Sequence, residues 1–336
     1  MQRPPALTSA TASNDPIVED SAFARVSEFI FGRRLPSSHE SRERLSRIEG
    51  LAVLSSDVLS STAYATEELL LVLVSGAVLA FQWALPVSLA IVGLLVLLTI
   101  SYRQTIRAYP QGAGAYNVAK ANLGVQASLI AAAGLLIDYV LTVAVSVTAG
   151  AAALTSAFPD LRPYRVWIAL AAILVLVVVN LRGIRTAGKA FTAPTLLFIG
   201  AMLTMLGTGL FKYATGNLHP NEMILPDEIG GGVTLFLLLR AFSAGTTALT
   251  GMEAIADGVF VFRKPEAKNA RTVLLWMALT LGILFTGVTW LASHLHVMPG
   301  SDQTVLSEIA RMVFGHGPFY YIIQISTLTI LVLAAN

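Results

Sequence analysis

The stretch GLAVLSSDVLSSTAYATEELLLVLVSG, residues 50–76, is long and apolar enough to cross a bilayer, yet its first half holds five serine or threonine residues and Asp57. A spanning helix needs about 20 mainly apolar residues. Inserting a carboxylate at the bilayer centre costs roughly 2.5–3.5 kcal/mol even on the scale from translocon insertion, which gives lower costs than simulations do. Irregular backbone at that depth persists only where it lines a cavity or is buried in protein. The pattern predicts a broken helix beside a polar site, with the hydroxyl run between Asp57 and Tyr64 unwound.

The whole chain has the composition of an all-α polytopic membrane protein. Of its 336 residues 55% are hydrophobic and only 12% charged, with a mean hydropathy of +0.71, whereas soluble domains carry about 25% charged residues. Eight candidate spans, numbered here in chain order, lie at roughly 48–75, 86–106, 125–156, 165–181, 190–212, 233–261, 272–293 and 318–336. We expect a tail over 1–45 and a transmembrane transporter domain over 46–336, whose span 8 is clipped because the sequence stops at LVLAAN.

Span 6 is the second unusual segment. It reads VTLFLLLRAFSAGTTALTGMEAIADGVFVF, residues 233–262, again with small and hydroxyl residues around an acid, Glu253. Interrupted spans at corresponding places of two halves indicate the site of an inverted-repeat transporter. Spans 1 and 6 are five apart, as a five-plus-five repeat requires. The sequence therefore predicts a site between two broken helices.

The basic residues set the expected orientation. If the N-terminus is inside, the inner segments hold sixteen Lys and Arg residues and the outer loops hold four. The inner residues are Arg25, Arg33, Arg34, Arg42, Arg44, Arg47, Arg103, Arg107, Lys120, Arg182, Arg185, Lys189, Arg263, Lys264, Lys268 and Arg271, and the outer ones are Arg162, Arg165, Lys212 and Arg311. Because cytoplasmic loops carry the excess of positive charge, we expect a cytoplasmic N-terminus in a multi-pass protein of the cell (inner) membrane.

Several function classes lack their motifs in this chain. There is no cysteine, and five scattered histidines form no metal-ligand pattern. No Walker, GxGxxG or nucleophile-elbow motif is present. We therefore expect neither an enzyme nor a cofactor, and no nucleic-acid partner. The expected partners are the lipid bilayer and a monovalent cation.

Three acids lie within predicted spans: Asp57 in span 1, Asp138 in span 3 and Glu253 in span 6. Intramembrane acids face the bundle interior or a cavity and mark ion pathways and proton relays. Arg240, in the outer half of span 6, offers a purely structural ion pair to one of them. Because one arginine cannot neutralise three acids, the functional interpretation is favoured.

Hydroxyl side chains accompany each acid at helical spacing. Asp138, Thr142 and Ser146 recur every four residues and so share one stripe of span 3, although Ser146 alone is typical of helix-packing contacts. Thr250 and Glu253 share a face of span 6. Asp57 and Tyr64 flank the hydroxyl run of span 1.

This oxygen-rich set suits a hard, weakly hydrated cation, since carboxylate, hydroxyl and carbonyl oxygens replace its water shell. Low dielectric disfavours the charged form of a buried acid, so Asp57, Asp138 and Glu253 are also candidates for coupling a proton to transport. Glu67 and Glu68 are expected to face an outer vestibule. Asp257, one turn beyond Glu253, is favoured as a surface partner of Arg263 and Lys264.

Four stretches of the sequence resemble known transporters. SYRQTIRAYPQGAGAYNVAKANLG, residues 101–124, resembles the loop between the second and third helices of amino acid–polyamine–organocation (APC) permeases. More narrowly, SSDVLSSTAYATEE at 55–68, IDYVLTVAVSVTAG at 137–150 and SAGTTALTGMEAIADGV at 243–259 resemble the KimA-type potassium importers, relatives of the KUP family.

The resemblance implies a LeuT-like (APC) five-plus-five inverted-repeat fold performing potassium–proton symport, with the second repeat incomplete. When the site residues of the family are transferred one by one to the matching positions of this sequence, the implied potassium site consists of Asp57, Tyr64, Asp138, Tyr139, Thr142, Ser146, Thr250 and Glu253. Tyr139 enters only through the resemblance. The family also carries a cytosolic regulatory domain after its last helices, and a homodimer through such C-terminal regions is an expectation.

Two alternatives stay open. The first is a proton-coupled amino acid or polyamine permease. Amino-acid permeases usually hold the substrate carboxylate on a glycine-rich unwound stretch in the first helix, whereas this chain has no glycine between Gly50 and Gly76. The second is a non-transporting fragment of such a protein.

Overall fold

The structure, a computed structural model, describes residues 44–76, 78–112, 114–181, 187–222, 232–300 and 303–335. Within these ranges it is helical, with one isolated β-bridge and no strand, which confirms the all-α membrane fold. The helices are Arg47–Leu54, Ser56–Ser60, Ala65–Gly76, Ala84–Ala108, Ala115–Leu123, Val125–Ala157, Arg165–Leu181, Ala187–Ala214, Leu235–Gly245, Ala254–Asp257, Glu266–His294, Val305–Phe314 and Pro318–Ala334. The predicted tail, 1–45, lies outside the described residues except for Arg44 and Leu45.

Six of the eight predicted spans correspond to helical segments with the length and hydropathy needed to cross a membrane. Their bounds are Ala80–Ala108, Val125–Ala157, Pro159–Val178, Phe191–Ala214, Leu235–Asp257 and Glu266–His294. Span 8 forms the shorter apolar helix Pro318–Ala334. Span 1 has no single long helix because it is broken, as its polar first half predicts.

Span 1 consists of three short helices. A capping box starts the first: Ser46 Oγ accepts the Glu49 N–H, and Glu49 Oε2 accepts the Ser46 N–H. The chain bends at Ser55, and the helix Ser56–Ser60 narrows into a 3-10 turn before Tyr64. The final helix, Ala65–Gly76, completes the crossing.

The prediction that the hydroxyl run unwinds is wrong. The run stays helical, because its hydroxyls bond back to carbonyls one turn earlier: Ser60 Oγ to Asp57 O at 2.7 Å, Ser61 Oγ to Val58 O at 2.6 Å, and Thr62 Oγ1 to Leu59 O at 2.7 Å. Such bonds hold a tight turn together where the backbone ladder changes period. The hydroxyls of this run are therefore engaged locally.

Span 6 is interrupted by residues that are not helical. The helix Leu235–Gly245 passes into the 3-10 turn Thr246–Leu249, after which Thr250 is extended. Gly251 has a φ of +80°, a left-handed conformation that glycine adopts without a Cβ penalty. A one-turn helix, Ala254–Asp257, then resumes toward the end of the span.

Spans 3 and 4 show the bilayer-facing side of the bundle. Leu141, Val140 and Leu174 are each more than half exposed. Spans 1, 6 and 7 supply much of the buried core, and Gly245 of span 6 packs directly against Ile91 of span 2 and Leu69 of span 1. Lipid tails cover exposed apolar side chains without penalty, so spans 3 and 4 face outward, while the breaks of spans 1 and 6 and much of span 7 lie inside.

A clasp joins the start of span 1 to the junction between spans 6 and 7. Leu45 N–H donates to Val261 O at 2.8 Å, and Arg263 N–H donates to Leu45 O at 3.0 Å, forming a parallel bridge. Arg44 also pairs with Glu266. Behind the bridge, Phe262 packs so closely on Gly50 that no Cβ fits there. We call this set of contacts the N-terminal clasp.

The orientation can be tested directly because the chain has no cysteine. Single cysteines at Asn217 and Lys268, both exposed and at opposite ends of the bundle by the predicted topology, give two labelling sites. In intact cells a membrane-impermeant maleimide is expected to label Asn217→Cys and not Lys268→Cys. Labelling of Lys268→Cys alone would reverse the predicted orientation, and permeabilised cells, in which both react, are the control.

Candidate functional site

Asp57 lies where the two broken spans meet. It is the second residue of the helix Ser56–Ser60, and its carboxylate packs on Gly251 of span 6 so tightly that a Cβ on Gly251 would overlap Oδ2. Its other oxygen, Oδ1, is buried without a hydrogen-bond partner. Buried polar atoms are nearly always hydrogen-bonded, so this exception marks a position that needs a hydrogen-bond donor, a proton or a cation.

Glu253 supplies the second unsatisfied carboxylate. It stands just before the one-turn helix Ala254–Asp257 and makes no side-chain capping bond. Only 9% of the residue is exposed, and its Oε1 is buried without a hydrogen-bond partner. Electrostatic interaction links Glu253 to both Asp57 and Asp138. The break in span 6 thus brings a second acid into the interior beside the first.

Tyr64 joins three spans at this point. The side chain is buried, and its hydroxyl lies close to the side chains of Thr250 in span 6 and Ser146 in span 3. Thr250 donates its own proton to Thr247 O at 3.0 Å, which leaves its lone pairs free to accept. Ser146 is fully buried, and its Oγ meets no partner at hydrogen-bond geometry. Hydroxyl oxygens from three spans therefore converge on one place.

The stripe on span 3 lies as its spacing predicts. Thr142 and Ser146 are buried, and Asp138, one turn earlier, is partly buried and interacts with Asp57. Tyr139 lies off this stripe and is 42% exposed. Its hydroxyl reaches Asp257 of span 6 rather than the centre of the site. The structure thus brings Asp138, Ser146, Thr250 and Glu253 into interaction with Asp57 or Tyr64, buries Thr142 and places Tyr139 at one edge.

Asp57, Asp138 and Glu253 are close enough to interact electrostatically. In the described ranges, no three acidic or histidine side chains form a metal-holding group. An ion at this site would take one or two carboxylate oxygens and complete its shell with Tyr64, Thr250 and Ser146. Arg240 is exposed and forms no ion pair with a described acid, so the structural explanation for the three acids finds no support here.

Asp257 has surroundings that sequence reasoning missed. Its Oδ1 packs on Gly114, in the turn before the helix Ala115–Leu123, leaving no space for a Cβ. Arg263, its expected partner, instead contacts Glu49 at 3.7 Å and the Arg44 carbonyl at 3.1 Å. Gly112 and Gly114 were the sequence signal for this contact, because glycine is favoured where a side chain packs closely on the backbone.

Glu67 makes a contact that the sequence does not predict. One carboxylate oxygen accepts the Val305 N–H at 3.1 Å, at the start of the helix Val305–Phe314. An acid at a helix N-terminus satisfies a free amide and complements the helix dipole. Glu67 therefore has a structural contact between span 1 and the loop before span 8.

These features define a polytopic permease with a polar site between two broken helices. The family whose sequence model is described as "Amino acid permease" matches residues 45–336, and the chain belongs to that family. Among curated proteins it is similar to the potassium transporter KimA of Bacillus subtilis (strain 168), with 46% identity over 315 residues.

That alignment covers 93% of this chain and 51% of the relative, so the chain spans about half the length of the curated relative it matches. The resemblance to KimA-type proteins within the APC superfamily is confirmed. The expectation that the chain is not an enzyme is confirmed by membership of a permease family.

The contact between Asp57 and Gly251 predicts a strong effect of Gly251→Ala. The new Cβ overlaps the carboxylate, and the left-handed backbone adds roughly 1–2 kcal/mol of strain. We expect a lower melting temperature and loss of transport. Gly200→Ala on span 5, where a Cβ meets nothing within 4 Å, is the matched control and should change neither. Wild-type behaviour of Gly251→Ala would show that the two breaks are not in contact.

Proposed function

We propose that the protein containing this chain takes up potassium by secondary active transport, coupled to protons. The observation that carries the proposal is the pair of buried, unpartnered carboxylate oxygens, Asp57 Oδ1 and Glu253 Oε1, at the two helix breaks. A buried carboxylate without a donor or a counter-charge is strongly destabilised. A monovalent cation between spans 1, 3 and 6 neutralises that charge and accepts the surrounding oxygens as ligands.

The backbone around the break in span 1 favours a cation over a carboxylate substrate. An amino-acid substrate needs free N–H groups, yet the amides of Ser55, Leu59 and Tyr64 already donate to Leu51, Ser55 and Ser61 carbonyls at 2.9–3.1 Å. Asp57 would also repel a substrate carboxylate. At this break the buried side-chain atoms without a hydrogen-bond partner are oxygens, Ser55 Oγ and Asp57 Oδ1.

Among cations, the ligand set supports potassium. Tyrosine, threonine and serine oxygens with one or two carboxylates suit a large, weakly hydrated ion, and no soft ligand is present among the site residues. The related protein from Bacillus subtilis is named a potassium transporter. Potassium is here the transported substrate, held at Asp57, Tyr64, Thr250, Glu253 and the span 3 stripe.

Proton coupling follows from the same unsatisfied acids. When the cation leaves, a proton on Asp57, Asp138 or Glu253 removes the isolated charge that a low-dielectric interior disfavours. One carboxylate thus alternates between a cation and a proton. Net movement into the cytoplasm is expected where the electrochemical gradient of the coupled proton is directed inward.

An organic cation is the second candidate substrate. The family description names amino acids rather than ions, which supports a ligand with an amino group. A polyamine presents ammonium groups that Asp57 and Glu253 can pair with, and it has no carboxylate to repel. Competition by polyamines against rubidium uptake separates the two substrates.

The site predicts that Asp57→Asn and Glu253→Gln abolish potassium uptake. Loss of a charged hydrogen-bonding group costs roughly 1.5–3 kcal/mol, equivalent to about a 10- to 100-fold fall in affinity. The complete gene product and each variant are expressed in a host without its own potassium uptake systems, and growth and rubidium uptake are measured at limiting potassium.

Asp160→Asn, at an exposed position in the turn before the helix Arg165–Leu181, removes the same charge and should rescue like wild type. If wild type inserts normally and still gives no rescue, the potassium proposal fails, and labelled amino acids and polyamines become the next substrates. If both site variants rescue fully, the carboxylates have no role in transport.

Proton coupling is tested separately in liposomes with a trapped pH-sensitive dye. An inward potassium gradient is expected to acidify the lumen, because symport moves both ions in the same direction. Glu253→Gln should remove the signal. Potassium entry at an unchanged internal pH would leave the transport proposal standing and rule out the proton.

A further inference from the structure

A basic cavity lies between the ends of spans 2 and 7, away from the cation site. It has a volume of about 220 Å³ and is lined by Ile100, Arg103, Gln104, Arg107 and Arg271. One water occupies roughly 30 Å³ in the liquid, so a phosphate group with its ester oxygens has room. Three guanidinium groups thus share one concave site.

The charge of this cavity is not balanced from within the described chain. None of the ion pairs in the described ranges includes Arg103, Arg107 or Arg271. Arg271 has a buried Nε with no hydrogen-bond partner at all. An unpartnered buried donor on a charged group is costly, and three adjacent positive charges repel one another. The geometry therefore requires an anion with several acceptor oxygens.

The surface beside the cavity indicates what carries that anion. On span 2, Leu97 is 65% exposed and Ile100 is 50% exposed. On span 7, Leu279 and Ile283 are each 57% exposed and continue the stripe of Arg271 at four-residue spacing. Leu95 and Val92 lie within 4.0 Å of the Cβ position of Gly282, so the two spans also pack together farther along the helices from the cavity. A continuous apolar, bilayer-facing surface thus runs up from the basic cavity.

We propose that this cavity binds the headgroup phosphate of an anionic phospholipid, whose acyl chains lie along the exposed faces of spans 2 and 7. Guanidinium groups match phosphate oxygens in paired hydrogen bonds and are less strongly hydrated than ammonium groups. Basic pockets between membrane helices at the headgroup level bind anionic lipids in this way. Arg271 is the central ligand, because it brings a guanidinium group from span 7 to the cavity that Arg103 and Arg107 line from span 2.

General attraction of positive side chains to the membrane surface is the competing explanation. That attraction depends on the number of charges near the surface and not on which arginine carries them. A built site depends on Arg271 in particular. Lys268, one turn earlier on the same helix, is exposed and does not line the cavity, so it serves as the matched control.

The test uses the complete protein purified in detergent, with native mass spectrometry and thermal melting on addition of phosphatidylglycerol, phosphatidylcholine or inorganic phosphate. Wild type is expected to retain phosphatidylglycerol over phosphatidylcholine and to be stabilised by it. Arg271→Gln should weaken phosphatidylglycerol binding about tenfold, equivalent to about 1.4 kcal/mol. Arg271→Lys should restore part of that loss, and Lys268→Gln should bind as wild type.

Two outcomes would overturn the proposal. Equal losses for Arg271→Gln and Lys268→Gln would assign the effect to general surface charge. Stabilisation by inorganic phosphate equal to that by phosphatidylglycerol would assign the cavity to a free anion rather than a lipid. Arg103→Gln, a second lining residue, guards against misfolding of one variant, because a real site loses affinity through either arginine.

Discussion

The contact between Asp57 and Gly251 is the constraint on which the rest of the bundle depends. A broken helix cannot face lipid, because its free backbone groups would be unsatisfied there. Each break in this chain is covered by the other: the Asp57 carboxylate fills the space over Gly251, and Ser61 Oγ contacts Ala248 O at 2.9 Å. The paired breaks must therefore be central, which leaves spans 2, 3 and 4 to present apolar faces to the bilayer.

The free-energy cost of leaving a buried polar group without a hydrogen bond explains why so few of the many polar side chains belong to the site. An unmade bond on a buried group costs roughly 1–3 kcal/mol, more than a made one contributes. Hydroxyls that can reach a nearby carbonyl therefore do so, as Ser60 and Thr62 do within span 1. Thr66 similarly bonds across to Thr289 of span 7 at 2.9 Å. Only groups denied a local partner, chiefly Asp57, Glu253 and Ser146, remain for a ligand.

Periodicity and chemistry in the sequence predict the broken spans, the stripe through Asp138, Thr142 and Ser146, and the family. Predictions from the sequence fail where the surroundings of a side chain depend on a segment that is distant in the chain. The hydroxyl run was expected to unwind, yet local back-bonding keeps it helical. Asp257 faces a glycine turn 143 positions away in the chain rather than its basic neighbours. Arg103, Arg107 and Arg271, which indicate the orientation in the sequence, share a cavity in the structure. Spacing within one helix cannot reveal this, because the three arginines lie on two spans.

The N-terminal clasp has a mechanical consequence. Because Leu45 is bonded to Val261 and Arg263, the start of span 1 is tied to the point where span 6 leads into span 7. The two broken helices are therefore held together at this end, and a displacement of one of them here also moves the other.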